Sequence, residues 1–280
     1  MRTLVATPRL RALGAVLRAA RLERGWSLRR LSQLTGLNYV MLFSWENATR
    51  VPRVEDVSAI LTGFRIGGEE REYLLDLVRH AHDPNWVEMS ERGLETIRTA
   101  FREFERTAAA KFSWEPLLIP GLLQTADYAR AIFSRVNLSK DEVEKRVLAR
   151  LTRADVLSGS EPLNFTAFVG DQALRQPIGG NAVMLDQLRH LLMVSESENV
   201  HLHAVASDDY HLSYGNSFVL FDFVKMPPIG FVDMFAGSAF VYSDEQLTGF
   251  VSAKETLTDL ALNEHDTRSL IREVITEREA

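Results

Sequence analysis

Along the first eighty residues, apolar positions recur every three or four residues, and glycine, asparagine and proline cut the run at short intervals. Leu10, Leu13, Val16, Leu17 and Ala20 fall on one helical face, and Gly25 ends it. Ser27 is placed to accept an orphan backbone N–H and so cap a helix over 28–34, which Gly36 stops. Asn38 caps the next, over 39–46. Pro52 turns the chain before a helix over 54–61, and a fifth helix is expected over 69–81.

The texture then changes. His82 to Asn85 breaks the rhythm, and residues 93–106 form an amphipathic helix with Leu94, Ile97, Phe101 and Phe104 on one face. Pro116 and Pro120 forbid a continuous helix over 114–123, so this apolar stretch is kinked and leads into a helix over 125–133. A long charged helix over 140–157 follows. From 163 onward, β-branched and aromatic runs at 163–169, 200–206, 217–224, 229–235 and 239–242 read as strands. A helix over 182–195 separates the first two, and helices over 244–260 and 264–277 close the chain. The expected fold is a mainly α N-terminal domain of five helices, followed by an α+β domain with a mostly antiparallel sheet. The expected boundaries are 1–82, a helical connector over 83–112, and 113–280.

Charge divides the same way. Residues 1–80 carry 13 Arg and no Lys against 8 acids, a surplus of five positive charges; the remainder carries 19 basic residues against 30 acids. A basic front end suits contact with a polyanion. Cysteine is absent, which removes thiol catalysis, cysteine-ligated zinc and disulfides, and suits a reducing cytosol. The apolar patch at 4–6 is cut by Arg9 and Arg11 and does not read as a signal peptide, and no run is long enough to span a membrane.

Catalytic chemistry finds no foothold. Phosphate-loop, dinucleotide-fold, H-E-x-x-H and G-x-S-x-G patterns are all missing. His201 and His203 share a strand face, but no third ligand has a fixed spacing to them, His211 or Asp208 being mere candidates, and a plain pair of half-exposed strand histidines is the better reading. Asp141, Glu142 and Glu144 read as a salt-bridged solvated face, and Asp208-Asp209 as a loop. No catalytic residue, cofactor or metal is expected.

Helix, short turn, helix over 28–46 is the spacing of a helix-turn-helix. The residues go further. Leu17-Arg18-Ala19-Ala20-Arg21-Leu22-Glu23-Arg24-Gly25, Ser27 to Ser32, Gly36-Leu37-Asn38, Leu42, Trp45, Glu46 and Arg50-Val51-Pro52 resemble the Cro/repressor-like (XRE-type) helix-turn-helix family. The resemblance implies a partly buried ion pair between Arg21 and Glu46 and a third helix in the major groove. It places Tyr39, Val40, Phe43 and Ser44 toward base edges, Asn38 beside them in the DNA-binding set, and Arg29, Arg30, Arg50 and Arg53 toward phosphates. This chain departs from the family in having no basic residue over 38–46, Ala48 for the usual glycine and Leu28 for the usual glutamine. Val40 and Phe43 suit thymine methyls, a weaker readout than a forked Arg–guanine contact.

Beyond residue 82, the stretches 114–131, 150–153, 171–180 and 217–221 resemble the companion domain of antitoxin-like XRE-family regulators of filamentous high-GC bacteria. Ala154, Gln172 and Asp233 depart from that pattern. The resemblance implies a sequence-specific DNA-binding transcriptional regulator and no enzyme. It would bind double-stranded DNA as a homodimer, reside in the cytoplasm with the nucleoid, and answer to a small partner protein encoded nearby. An alternative is an antitoxin that neutralises that partner, with DNA binding secondary. A third reading, sensing of a small apolar ligand, rests on Phe218, Phe221, Phe223, Phe231 and Phe235, which equally form a plain core. Gln124, Thr125 and Tyr128 read as helix-capping and packing residues ahead of a partner contact, and Arg175 as an ion-pair or acid-binding group.

Overall fold

The computed structural model describes residues 7–83, 85–206 and 215–280; Asp208, Asp209 and His211 lie outside them. In chain order the elements are α1 (Pro8–Glu23), α2 (Leu28–Thr35), α3 (Tyr39–Glu46), α4 (Val54–Gly63), α5 (Gly68–Arg79), β1 (Trp86–Glu88), α6 (Glu91–Thr107) and β2 (Ala110–Glu115). After a 3₁₀ turn at Gly121–Leu123 come α7 (Ala126–Phe133), α8 (Lys140–Arg153), β3 (Asn164–Gly170), α9 (Asp171–Arg175), α10 (Asn181–Val194) and β4 (Val200–Val205). The chain closes with β5 (Phe218–Asp222), β6 (Ile229–Met234), β7 (Gly237–Val241), α11 (Asp244–Leu260) and α12 (Glu264–Glu279). Two compact units result. The first runs to Thr107 and takes up Asp222–Leu247; the second comprises Ala108–Phe221 and Thr248–Ala280.

Local chemistry sets the helix ends of the first unit. Thr7, Ser27 and Asn38 each accept a backbone N–H as N-caps of α1, α2 and α3, and Gly36 ends α2 at φ +71°, a conformation that suits glycine. The core gathers Leu10, Leu13 and Leu17 of α1 with Leu31, Leu42, Trp45, Val57 and Leu61, each nearly inaccessible to solvent. Each such side chain contributes roughly 1.5–3 kcal/mol of burial. Helix α6 packs along α1, and β1, β7 and β6 pair antiparallel in that order, Trp86 opposite Phe240 and Phe231 opposite Phe240. The later segment reaches the helices directly. Met226 and Val51 pack against the cluster of Leu10 and Ala48, and the Arg11 guanidinium lies against the rings of Phe104 and Phe223, 4.2 and 3.9 Å from their centroids.

The expectation of a mostly antiparallel sheet is corrected: the sheet is mixed, antiparallel over β1, β7 and β6 and parallel over β2, β3 and β4 of the second unit. β2 pairs β3 and β3 pairs β4 in parallel, with Phe112 opposite Thr166 and Phe168 opposite His203. The physical reason is connectivity. Both joins are helical, α7–α8 and then α9–α10, and each crossover is long enough to return the chain to the same end of the sheet. Phe165, Ala167 and Val169 of β3 are buried in one cluster with Leu188 and Leu191 of α10 and Ile271 and Val274 of α12. On the other side, Phe112 meets Phe168 and Phe218 at ring separations of 5.0 and 5.6 Å.

Other expectations shift in detail. Strands β1 and β2 were not foreseen, the helix expected over 140–157 gives way after Arg153 to a 3₁₀ turn, and β6 stops at Met234, leaving Phe235 fully exposed. Phe218 and Phe231 are buried in packed aromatic contacts and Phe221 is buried beneath the Lys111 ammonium, the plain-core reading of those rings.

Candidate nucleic-acid interface

α3 divides cleanly into two faces. Leu42, Trp45 and Glu46 are buried, whereas Tyr39, Val40 and Phe43 are 44%, 61% and 51% exposed. A fork fixes the inner face. Arg21 Nε and Nη2 donate to Glu46 Oε1 and Oε2, both at 2.7 Å, and Nη1 donates to the Trp26 carbonyl at 2.8 Å. This is the ion pair that the helix-turn-helix resemblance implied. The hydrogen bonds to Glu46 hold Arg21 above its ordinary pKa. Arg18 adds a second tie, donating to Asn47 Oδ1 and to Glu103 Oε1 of α6 at 3.0 Å. α1 can come this close because residue 14 is glycine: a Cβ there would sit 2.7 and 2.8 Å from the carbonyl oxygens of Trp45 and Glu46.

The residues expected to face nucleic acid all lie in the first unit. Asn38 is exposed, but its Oδ1 is engaged as the α3 cap, accepting from Val40 N at 2.8 Å. The Ser44 hydroxyl donates back to the Val40 carbonyl at 2.9 Å, so its remaining capacity toward a base is as an acceptor. Arg29 and Arg30 stand exposed on α2. Arg50 follows α3, exposed, with Nη1 3.4 Å from Met41 Sδ. Arg53 is exposed but forked onto Asp56, Nε and Nη2 donating at 3.0 Å to the two carboxylate oxygens. The pair raises the Arg53 pKa and lowers that of Asp56.

Sequence reasoning missed Gly14 and Asp56. A lone glycine in an otherwise regular helical pattern signals close backbone approach, and Arg53 and Asp56 stand at i and i+3, within ion-pair reach on a helix.

Singled-out residues of the second unit have structural partners. Gln124 Nε2 donates to the Ile119 carbonyl at 2.7 Å, Thr125 caps α7, and the Tyr128 hydroxyl accepts from Ile119 N at 3.1 Å. Arg175 pairs with Glu277 at 2.7 Å, and Arg130 with Glu144. Glu142 completes a capping box with Ser139. His201 Nδ1 lies 2.8 Å from Glu264 Oε1 and His203 Nδ1 lies 2.9 Å from the Leu262 carbonyl. Among the described residues, no group of three or more His, Asp or Glu is placed to hold a metal ion, and no helix is long and apolar enough to cross a membrane.

Comparison with known proteins agrees with this geometry. Residues 12–74 match a helix-turn-helix domain, which supports a DNA-binding regulator. No curated protein matches the chain. Residues 98–273, well over half the length, match a domain of unknown function (DUF5753). With its helix-turn-helix head, the chain belongs to the family defined by that DUF5753 domain.

Proposed function

We propose that the chain is a sequence-specific transcriptional regulator that lays the outer face of α3 in the DNA major groove. The observation that carries this reading is the exposure of Tyr39, Val40 and Phe43 on a helix whose other face is already buried. A helix apolar on both faces calls for a partner on the open side. A groove edge lined with thymine methyls meets Val40 and Phe43, and Tyr39 and Ser44 add hydrogen-bonding capacity. Arg29, Arg30 and Arg50 would take phosphates, and Asn38 orients the helix by capping it. Arg53 would join them only by leaving Asp56. One eight-residue helix buries too little surface for operator specificity, so two copies on half-sites about one helical turn apart complete the reading. The site of action would be the cytoplasmic nucleoid.

The test is selection from a random duplex pool followed by salt titration. Enrichment of one motif, changed base preference in Tyr39→Ala or Ser44→Ala, and a salt slope flatter by about one in Arg50→Ala are expected. Absence of enrichment, or an Arg50→Ala slope equal to that of the native protein, refutes it.

The resemblance of 114–131 and 171–180 to antitoxin-like regulators supports a second reading, in which the DUF5753 portion binds a small partner protein as an antitoxin would. Co-purification of the neighbouring gene's product that survives Val40→Asp supports this reading, and its failure to co-purify counts against it.

A further inference from the structure

The first unit buries a cation without a full set of partners. Arg11 is 6% exposed. Its Nη2 donates to Thr107 Oγ1 at 3.0 Å, and the guanidinium sits in the corner made by the Phe104 and Phe223 rings, whose planes stand at 85°. Its Nη1 is buried and has no hydrogen-bond partner among the described residues. Glu103 is engaged elsewhere, accepting from Arg18 at 3.0 Å and from Arg106 at 2.7 and 3.0 Å.

A second buried donor accompanies it. The Tyr242 hydroxyl also lacks a partner among the described residues. Its backbone N–H donates to Asn85 Oδ1 at 3.1 Å, and the Asn85 carbonyl accepts from Arg9 Nη1 at 2.7 Å, which ties Tyr242 to the start of α1. Burial lowers the Arg11 pKa to about 10, so the group stays charged near neutrality, and Tyr242 is within its electrostatic reach. A buried positive charge and a buried hydroxyl, each short of one acceptor, carry a desolvation cost that one anion would offset.

We propose that Arg11 Nη1 and the Tyr242 hydroxyl are the donors of a buried site for a small monoanion, a carboxylate or a halide, walled by Phe104 and Phe223. The site does not depend on the DNA-binding reading. A ligand bound only by the folded state raises the melting temperature with its concentration.

The test is thermal unfolding of the full chain against sodium acetate and, separately, sodium chloride, with Arg11→Met run in parallel so that general salt effects cancel in the difference. Arg11→Met keeps a long apolar stem against the rings and removes the charge. The expected result is a saturable rise in Tm of about 3–6 °C at roughly a hundred times the dissociation constant, absent in Arg11→Met. Tyr242→Phe should shift half-saturation about tenfold higher, the loss of one hydrogen bond to a charged group. A response to acetate alone assigns the site to carboxylates, and an equal response to chloride assigns it to small monoanions at large. Native protein that responds no more than Arg11→Met, or half-saturation unmoved by Tyr242→Phe, overturns the proposal.

Discussion

Consider removing the Arg21–Glu46 fork one partner at a time. Both side chains are buried, 8% and 6% exposed, and each makes two charge-assisted bonds of 2.7 Å to the other. Deleting one partner of a buried pair leaves an uncompensated charge and costs about 3–5 kcal/mol. The two deletions are not equivalent. Glu46→Leu leaves Arg21 only the neutral Trp26 carbonyl, whereas Arg21→Met leaves Glu46 with Arg18, whose Nε stands 4.0 Å from Oε2. Glu46→Leu should therefore fall at the upper end of the range and Arg21→Met at the lower. The double variant, with no charge left to strand, should be more stable than either single variant. Urea unfolding followed by circular dichroism reads all four corners of the cycle. With a slope of about 2 kcal/mol per molar, a loss of 4 kcal/mol moves the midpoint by about 2 M. Losses that simply add in the double variant would mean that the fork carries no coupling and that α3 is held by apolar packing alone.

Further expectations follow from the same interface and from the second unit. Gly14→Ala forces a methyl against the carbonyls of Trp45 and Glu46. The overpacking cost of about 1–3 kcal/mol is partly offset by about 1 kcal/mol of helix propensity, so DNA affinity should fall more than urea stability does; an unchanged affinity would show that the two helices can separate without moving α3. Asp56→Asn releases Arg53 from its fork, and the salt slope of DNA binding should steepen by about one; no change would place Arg53 away from phosphates. Burial lowers the pKa of His190. A histidine depressed in the folded state binds its proton more readily when unfolded, so its contribution is complete above the unfolded value near 6.5 and is lost as pH falls below it. Melting temperature should accordingly drop on acidification from about pH 7 to 5.5, and His190→Gln should remove part of that drop; an identical profile in the variant would dismiss His190 as its source.

The N-terminal helices were legible because short-range chemistry decides them. Ser27, Gly36 and Asn38 act where their side chains or backbone freedom demanded, and the apolar spacing of Leu10, Leu13 and Leu17 marks the buried face of α1. Strand β2 hid for the opposite reason. Lys111 and Ser113 are polar yet buried, 4% and 2% exposed, so the alternation that should advertise a half-solvated strand points to the wrong class of environment. Parallel pairing of β2, β3 and β4 depends on crossover geometry, which no short window carries. At the interface, exposure of Tyr39, Val40 and Phe43 followed from turning Leu42 and Trp45 inward. The engagement of Arg53 by Asp56 required coordinates, because a free arginine and a forked one share the same letter.

The first unit is assembled from two distant stretches, with Met226 packed against the cluster of Leu10 and Ala48 and Phe223 stacked on Arg11. A fragment ending anywhere before residue 222 would therefore strip apolar cover from the turn that follows α3. Grafting a new DNA reader onto this scaffold, or exchanging readers between relatives, calls for a two-part transplant that carries 222–247 along with the front of the chain. Evolution faces the same bookkeeping: drift at Leu10 and Ala48 is constrained by a methionine encoded more than five hundred bases downstream.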